Sequence, residues 1–106
     1  MDDNLYALPA LTDNEIFSDL LKRPGLRIER IVSTGQRSPP DFWYDQAEGE
    51  WVTVLQGEAK LRFADEAEAR HLRAGDFIDI APHRQHRVEW TPADQTTIWL
   101  AVFYAA

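Results

Sequence analysis

Residues 50–63 read EWVTVLQGEAKLRF. Residues 50–56 are dominated by β-branched and aromatic side chains, and residues 58–63 alternate apolar and polar with period two. Gly57 stands between the two runs. Two strand-like runs joined at a glycine are the signature of a β-hairpin, and the stretch sets the texture of most of the chain.

Working outward, LRIERIVS (26–33) alternates as a half-buried strand does, and DFWYDQ (41–46) is short and aromatic. Downstream, RHLRA (70–74), FIDIA (77–81), HRVEWT (86–91) and TTIWLAVFY (96–104) are strand candidates, separated by Gly75-Asp76, the Pro82 loop and PADQ (92–95). Gly75-Asp76, like Gly57, is read as a hairpin turn. About eight short strands at this spacing indicate an antiparallel sandwich or barrel. No run pairs a strand with a long helix, which argues against a parallel α/β sheet.

One segment departs from the pattern. In TDNEIFSDLLKRPG (12–25), Thr12 and Glu15 have the spacing of a capping box, and Ile16, Phe17, Leu20 and Leu21 form a stripe at helical spacing. Pro24-Gly25 would end such a helix. The predicted organisation is therefore a helical segment over residues 1–25 packed on a barrel of residues 26–106.

Composition narrows the function classes. A chain of 106 residues is one domain by default, and 44% hydrophobic residues with four Trp, five Phe and three Tyr supply a core. There is no cysteine, hence no disulfide, which fits a reducing compartment. The N-terminus lacks the basic and apolar regions of a signal peptide, and no apolar run nears the roughly 18 residues of a membrane span. A cytoplasmic protein is expected. A net charge of −7 and a pI near 4.8 argue against nucleic acid and against anionic membranes as partners. Small molecules, cations and a second copy of the chain remain.

Glu50, six residues, then Gly57 is followed by Gly75, which opens a segment reaching His86. Across residues 26–104 this resembles the cupins, small jelly-roll β-barrels with two signature motifs. The first runs Gly, five residues, His-x-His, three or four residues, Glu, six residues, Gly. The second runs Gly, five residues, Pro-x-Gly, two residues, His, three residues, Asn. Glu50 and Gly57 match the end of the first motif; Gly75 and His86 match the start and the histidine of the second. The first-motif histidines are replaced by Trp43 and Asp45 with a four-residue spacer, or by Tyr44 and Gln46 with a three-residue one. In the second motif the proline, glycine and asparagine places hold Ala81, His83 and Trp90.

The resemblance implies that Glu50 and His86 point into the barrel, and strand alternation then sends Val52, Val54, Val88 and Trp90 inward with them. Asp45 would add a carboxylate and His83, curling in from its loop, a fourth ligand. Asp, Glu and two His make an oxygen–nitrogen set suited to a divalent ion such as nickel, zinc, manganese or iron. Alternatively, Asp45, Glu50 and His86 hydrogen-bond one another, and His83 lies on the surface beside Arg84 and Arg87. Tyr44, Gln46 and Trp90 are candidates for lining a ligand pocket. Arg84 or Arg87 at the mouth would suit a carboxylate or phosphate. His71 has no motif partner and is read as a sheet-face residue.

No nucleophile elbow, Walker loop or dinucleotide-binding glycine motif is present. The resemblance implies a small cupin that binds a small ligand, a divalent metal or both inside the barrel. The alternative is a metal-dependent enzyme, isomerase, dioxygenase or lyase-like, acting on a small organic acid, sugar or aromatic compound. The apolar C-terminal strand and the Trp51 region imply a homodimer.

Overall fold

In the computed structural model, which describes residues 3–106, eight strands form two antiparallel sheets. They are β1 (Ile16–Arg23), β2 (Leu26–Ser33), β3 (Gly49–Gln56), β4 (Glu58–Phe63), β5 (Arg70–Arg73), β6 (Phe77–Ile80), β7 (His86–Trp90) and β8 (Thr97–Tyr104). One sheet has the order β1-β2-β8-β3-β6 and the other β5-β4-β7. No helix among the described residues is long and apolar enough to cross a membrane.

The expected N-terminal helix is strand β1. It pairs with β2 from Ile16↔Val32 to Arg23↔Leu26, with a register shift between Asp19 and Leu21. That bulge explains the misleading apolar spacing. Alternation alone would put Ile16 and Leu21 on opposite faces; the extra residue, Leu20, resets the phase so that both join the outer face. Phe17 opposes Ile31 on the inner face. Pro24 and Gly25, the latter at φ 71, form a tight turn between the strands, with proline first and the positive-φ glycine second. Thr12 makes no helix cap; its hydroxyl accepts from the Asn14 amide at 3.1 Å.

Gly57 and Gly75 are corners, not hairpin turns. β3 pairs with β6 and β8, whereas β4 pairs with β5 and β7, so the chain changes sheets at Gly57. It returns at Gly75-Asp76, where Gly75 N–H donates to Val54 O at 2.7 Å and Val54 N–H to Asp76 O at 3.1 Å. These crossings close the barrel. Val54, Phe63, Leu72, Ile78 and Trp99, drawn from both sheets, are buried against one another. Each such side chain contributes about 1.5–3 kcal/mol by leaving water.

The five-stranded sheet is wider than its cover, and segment 38–44 fills part of the difference. Ser38 N–H donates to Val88 O at 2.9 Å, and Tyr44 and His86 exchange both backbone hydrogen bonds, at 2.7 and 3.2 Å. The inward faces of β1 and β2 therefore border an internal cavity. Their outward face is strapped by the N-terminal segment, where the buried Arg30 guanidinium donates to the carbonyls of Asn4, Leu5 and Ala7 at 3.0–3.3 Å. Farther along the same outer face, Trp51 packs on Phe77, which is 64% exposed.

The Gly57 corner leaves no room for a side chain against the neighbouring backbone. Its φ is +80, and a Cβ there would lie 2.8 Å from Thr96 O and 3.0 Å from Thr97 Cα, both backbone atoms. At Gly75, φ is +93 but nothing stands within 4 Å. Gly57→Ala is expected to destabilise the fold by about 2–3 kcal/mol and Gly75→Ala by about 1 kcal/mol, as urea denaturation would measure. Equal costs would contradict the tight crossing.

Candidate functional site

A cavity of about 350 Å³ opens into the barrel. Its walls are apolar, from Ile31, Val52, Leu61, Val88, Trp99 and Phe103, and its polar groups are Glu15, Arg27, Glu29, Tyr44, Gln46, Glu50 and His86. An apolar chamber with a few convergent polar groups is the usual form of a small-molecule site.

At its centre, Glu50 and His86 face each other. β3 fixes Glu50 between Ile80 of β6 and Phe103 of β8. β7 opens at His86, which is locked to Tyr44 by the paired backbone bonds, and the two rings stack with centroids 5.5 Å apart. The His86 side chain is only 6% exposed. Its Nδ1 lies 2.8 Å from the carbonyl of Arg84. A carbonyl only accepts, so Nδ1 carries the proton. In the neutral imidazole Nε2 is then a lone pair, and it points at the Glu50 carboxylate from 3.5 Å without making a hydrogen bond. Gln46 approaches from the third side. Its Nε2 donates to Glu50 Oε1 at 3.5 Å, at the weak limit, while its buried Oε1 has no partner. Burying acceptors without donors is costly.

A second polar arm runs from Trp99, whose indole N–H donates to Ser33 Oγ at 3.1 Å; the Ser33 hydroxyl donates to Glu15 at 2.5 Å. Burial pushes the Glu15 carboxyl above its ordinary value of 4.5, against the opposing Ser33 bond. Glu29 is also raised, first by burial and then by Asp19 and Glu50, with Arg27 opposing. The Tyr44 hydroxyl is raised by burial and by the charges of Glu15 and Glu50. Arg27 lies 3.1 Å from Glu29 and 3.2 Å from Glu48, with its guanidinium over the Phe103 ring at 4.1 Å.

The four residues expected to share a metal separate into two pairs. Glu50 and His86 meet inside. Asp45 and His83 meet outside, Nδ1 to Oδ1 at 2.7 Å, with side chains 44% and 69% exposed. The His83 bond holds the Asp45 carboxyl below its usual range. Among the described residues, no three His, Cys, Asp or Glu side chains gather as metal ligands would. The three-residue spacer describes the geometry: Tyr44 and Gln46 line the cavity and Asp45 does not.

Trp90 does not line it either. In the β4–β7 register Leu61 opposes Val88 and Lys60 opposes Trp90, so Glu89 is an inserted residue. This bulge turns Trp90 to the outer face, where it meets His71 edge-on and the Lys60 ammonium. His71 itself pairs with Glu58 at 2.6 Å. Arg84 is engaged by Asp65 and Glu66, and Arg87 by Glu89 and the carbonyls of Ser38 and Pro39. Neither borders the cavity. Sequence reasoning missed Glu15, Phe17, Arg27 and Glu29. The available signal was the polar phase of LRIERIVS, whose Arg27 and Glu29 are incongruous on the inner face of a dry core.

An antiparallel barrel whose two sheets exchange strands at glycine corners, around a chamber holding one buried glutamate and one buried histidine, defines a double-stranded β-helix protein. The profile described as the cupin domain matches residues 29–103, and the chain belongs to that family. It is similar to a putative mannose-6-phosphate isomerase from Ralstonia eutropha, with 46% identity, 97% of this chain and 96% of that one covered, and a TM-score of 0.93. A cupin superfamily protein from Desulfitobacterium hafniense shares the fold at 16% identity, with 96% and 87% covered and a TM-score of 0.79. An RmlC-like cupin from Methanocaldococcus jannaschii does so at 15% identity, with 99% and 93% covered and a TM-score of 0.74. No curated protein matches the chain.

The raised Glu15 carboxyl has a signed consequence. A folded-state value above 4.5 means that ionised Glu15 costs stability once the pH rises past that range, and that the cost is absent below it. Glu15→Gln is expected to raise the melting temperature by a few degrees at pH 8 and to leave it unchanged at pH 4. A loss of stability at pH 8 would mean that the Ser33 bond outweighs burial.

Proposed function

We propose that the barrel binds a small organic molecule in its cavity, anchored by Glu50, His86 and Gln46, with the apolar walls holding its body. The observation that carries this reading is the pair of buried acceptors, Glu50 and Nε2 of His86, 3.5 Å apart with no donor between them. A hydroxyl or ammonium group of a ligand would donate to both. Tyr44, stacked on His86, fixes the imidazole plane and so the direction of the lone pair.

A second reading has support in the unpartnered Oε1 of Gln46. With the carboxylate and the imidazole nitrogen it makes three acceptors that a divalent ion, nickel, zinc, manganese or iron, would satisfy. Glu50, His86 and Gln46 would hold the ion; Asp45 and His83 would not. Such an ion supplies Lewis acidity to a bound oxygen. On either reading, binding precedes any turnover. The similarity to the Ralstonia eutropha protein makes an isomerase acting on a sugar the leading enzymatic form, with Glu50 as the group positioned to move a proton.

The two readings part in one titration. The protein, dialysed against chelator, is mixed with a library of small alcohols, amines and sugars and separately with each divalent ion, while melting temperature and backbone amide shifts are recorded. Organic ligands are expected to stabilise the fold and to shift Tyr44, Gln46 and His86, with Glu50→Gln weakening them on the order of tenfold. Stabilisation by ions alone would favour the metal reading. No response at these residues to either would remove the cavity as a binding site.

A further inference from the structure

The charges around the cavity restrict what it accepts. Glu15, Glu29 and Glu50 border it, and Arg27 is the single Lys or Arg side chain that does. Arg27 is already shared between carboxylates: it reaches Glu29 at 3.1 Å and Glu48 at 3.2 Å, with its guanidinium 4.1 Å from the centre of the Phe103 ring, although its buried Nε makes no hydrogen bond. The two arginines that sequence alone put at the mouth, Arg84 and Arg87, are paired elsewhere. An anionic ligand would meet one arginine, already paired with two carboxylates, and would face three carboxylates around the cleft, where field lines concentrate.

An independent observation points the same way. The His86 side chain is 94% buried by its 6% exposure, its Nδ1 is used by the Arg84 carbonyl, and its Nε2 opens on the cavity without a hydrogen bond. The Oε1 of Gln46 is likewise buried and unpartnered. The polar end of the chamber thus presents acceptors that need donors. At neutral pH a carboxylate carries only acceptors and a phosphate ester almost only acceptors, and either would add to the imbalance. An ammonium carries up to three donors and a positive charge, and answers both.

We infer that the cavity selects a protonated organic amine with a compact apolar body and rejects phosphate esters. The ammonium sits between Glu50, Nε2 of His86 and Oε1 of Gln46, and the body packs on Val52, Leu61 and Trp99. This rests on the reading of the cavity as an organic-ligand site and adds the charge of the ligand to it.

The test compares benzylamine, benzyl alcohol and benzyl phosphate, which share one ring, by calorimetry at low salt on the full chain as purified and again after chelator dialysis. Benzylamine is expected to bind at least tenfold more tightly than either partner in both preparations. Glu29→Gln and Glu50→Gln, checked for intact folding by circular dichroism, are each expected to reduce that preference severalfold. Equal binding of the three, or tighter binding of the alcohol or the phosphate, would overturn the inference while leaving an organic-ligand cavity in place. If none of the three binds and the amines, alcohols and sugars of the wider library also fail to shift Tyr44, Gln46 and His86, both the inference and the reading beneath it fall.

Discussion

Two acceptors held 3.5 Å apart, the Glu50 carboxylate and Nε2 of His86, are the constraint around which the rest of the site is arranged. With the imidazole's one proton on Nδ1, neither acceptor of the pair satisfies the other. Glu50 is pinned by strands on both sides of β3, and His86 by the Arg84 carbonyl on one ring nitrogen and by the Tyr44 backbone. The fold therefore holds the two groups together at a cost that neither group offsets. Folds tolerate such local costs where a ligand relieves them.

The wider sheet supplies the room. With β1 and β2 extending the five-stranded sheet past its three-stranded cover, inward side chains that would otherwise meet a facing layer border a chamber. Polar residues can then occupy positions that a dry core would exclude. The Trp99–Ser33–Glu15 chain and the Arg27–Glu29 pair occupy them, and they give the chamber its acidic character. The same departure from a dry core makes the site a binding chamber and biases the charge of what it holds.

Much of the barrel was legible because period-two alternation and glycine turns are local signals. Glu50, Gly57, Gly75 and His86 were enough to indicate the family, which the match over residues 29–103 bears out. The errors have a common cause. A β-bulge is invisible to a periodicity argument. The one at Leu20 made a strand look helical, and the one at Glu89 moved Trp90 from the inner face to the outer. Gly57 and Gly75 were recognisable as turns, but whether a turn stays in one sheet or crosses to the other depends on distant partners. The choice between Asp45 and its neighbours Tyr44 and Gln46 was likewise non-local, since the Tyr44–His86 bridge fixes which residues turn inward.

The account stands on the state of one imidazole. Nitrogen-15 spectra of protein labelled at histidine, with His86 assigned by its loss in His86→Gln, read directly which ring nitrogen carries the proton. At pH 8 in the ligand-free protein the account expects a protonated Nδ1, bound to the Arg84 carbonyl, and an unprotonated Nε2 facing Glu50. A proton on Nε2, shared with the Glu50 carboxylate, would show the pair to be satisfied on its own and would contradict the claim that the barrel is built to receive a donor from outside.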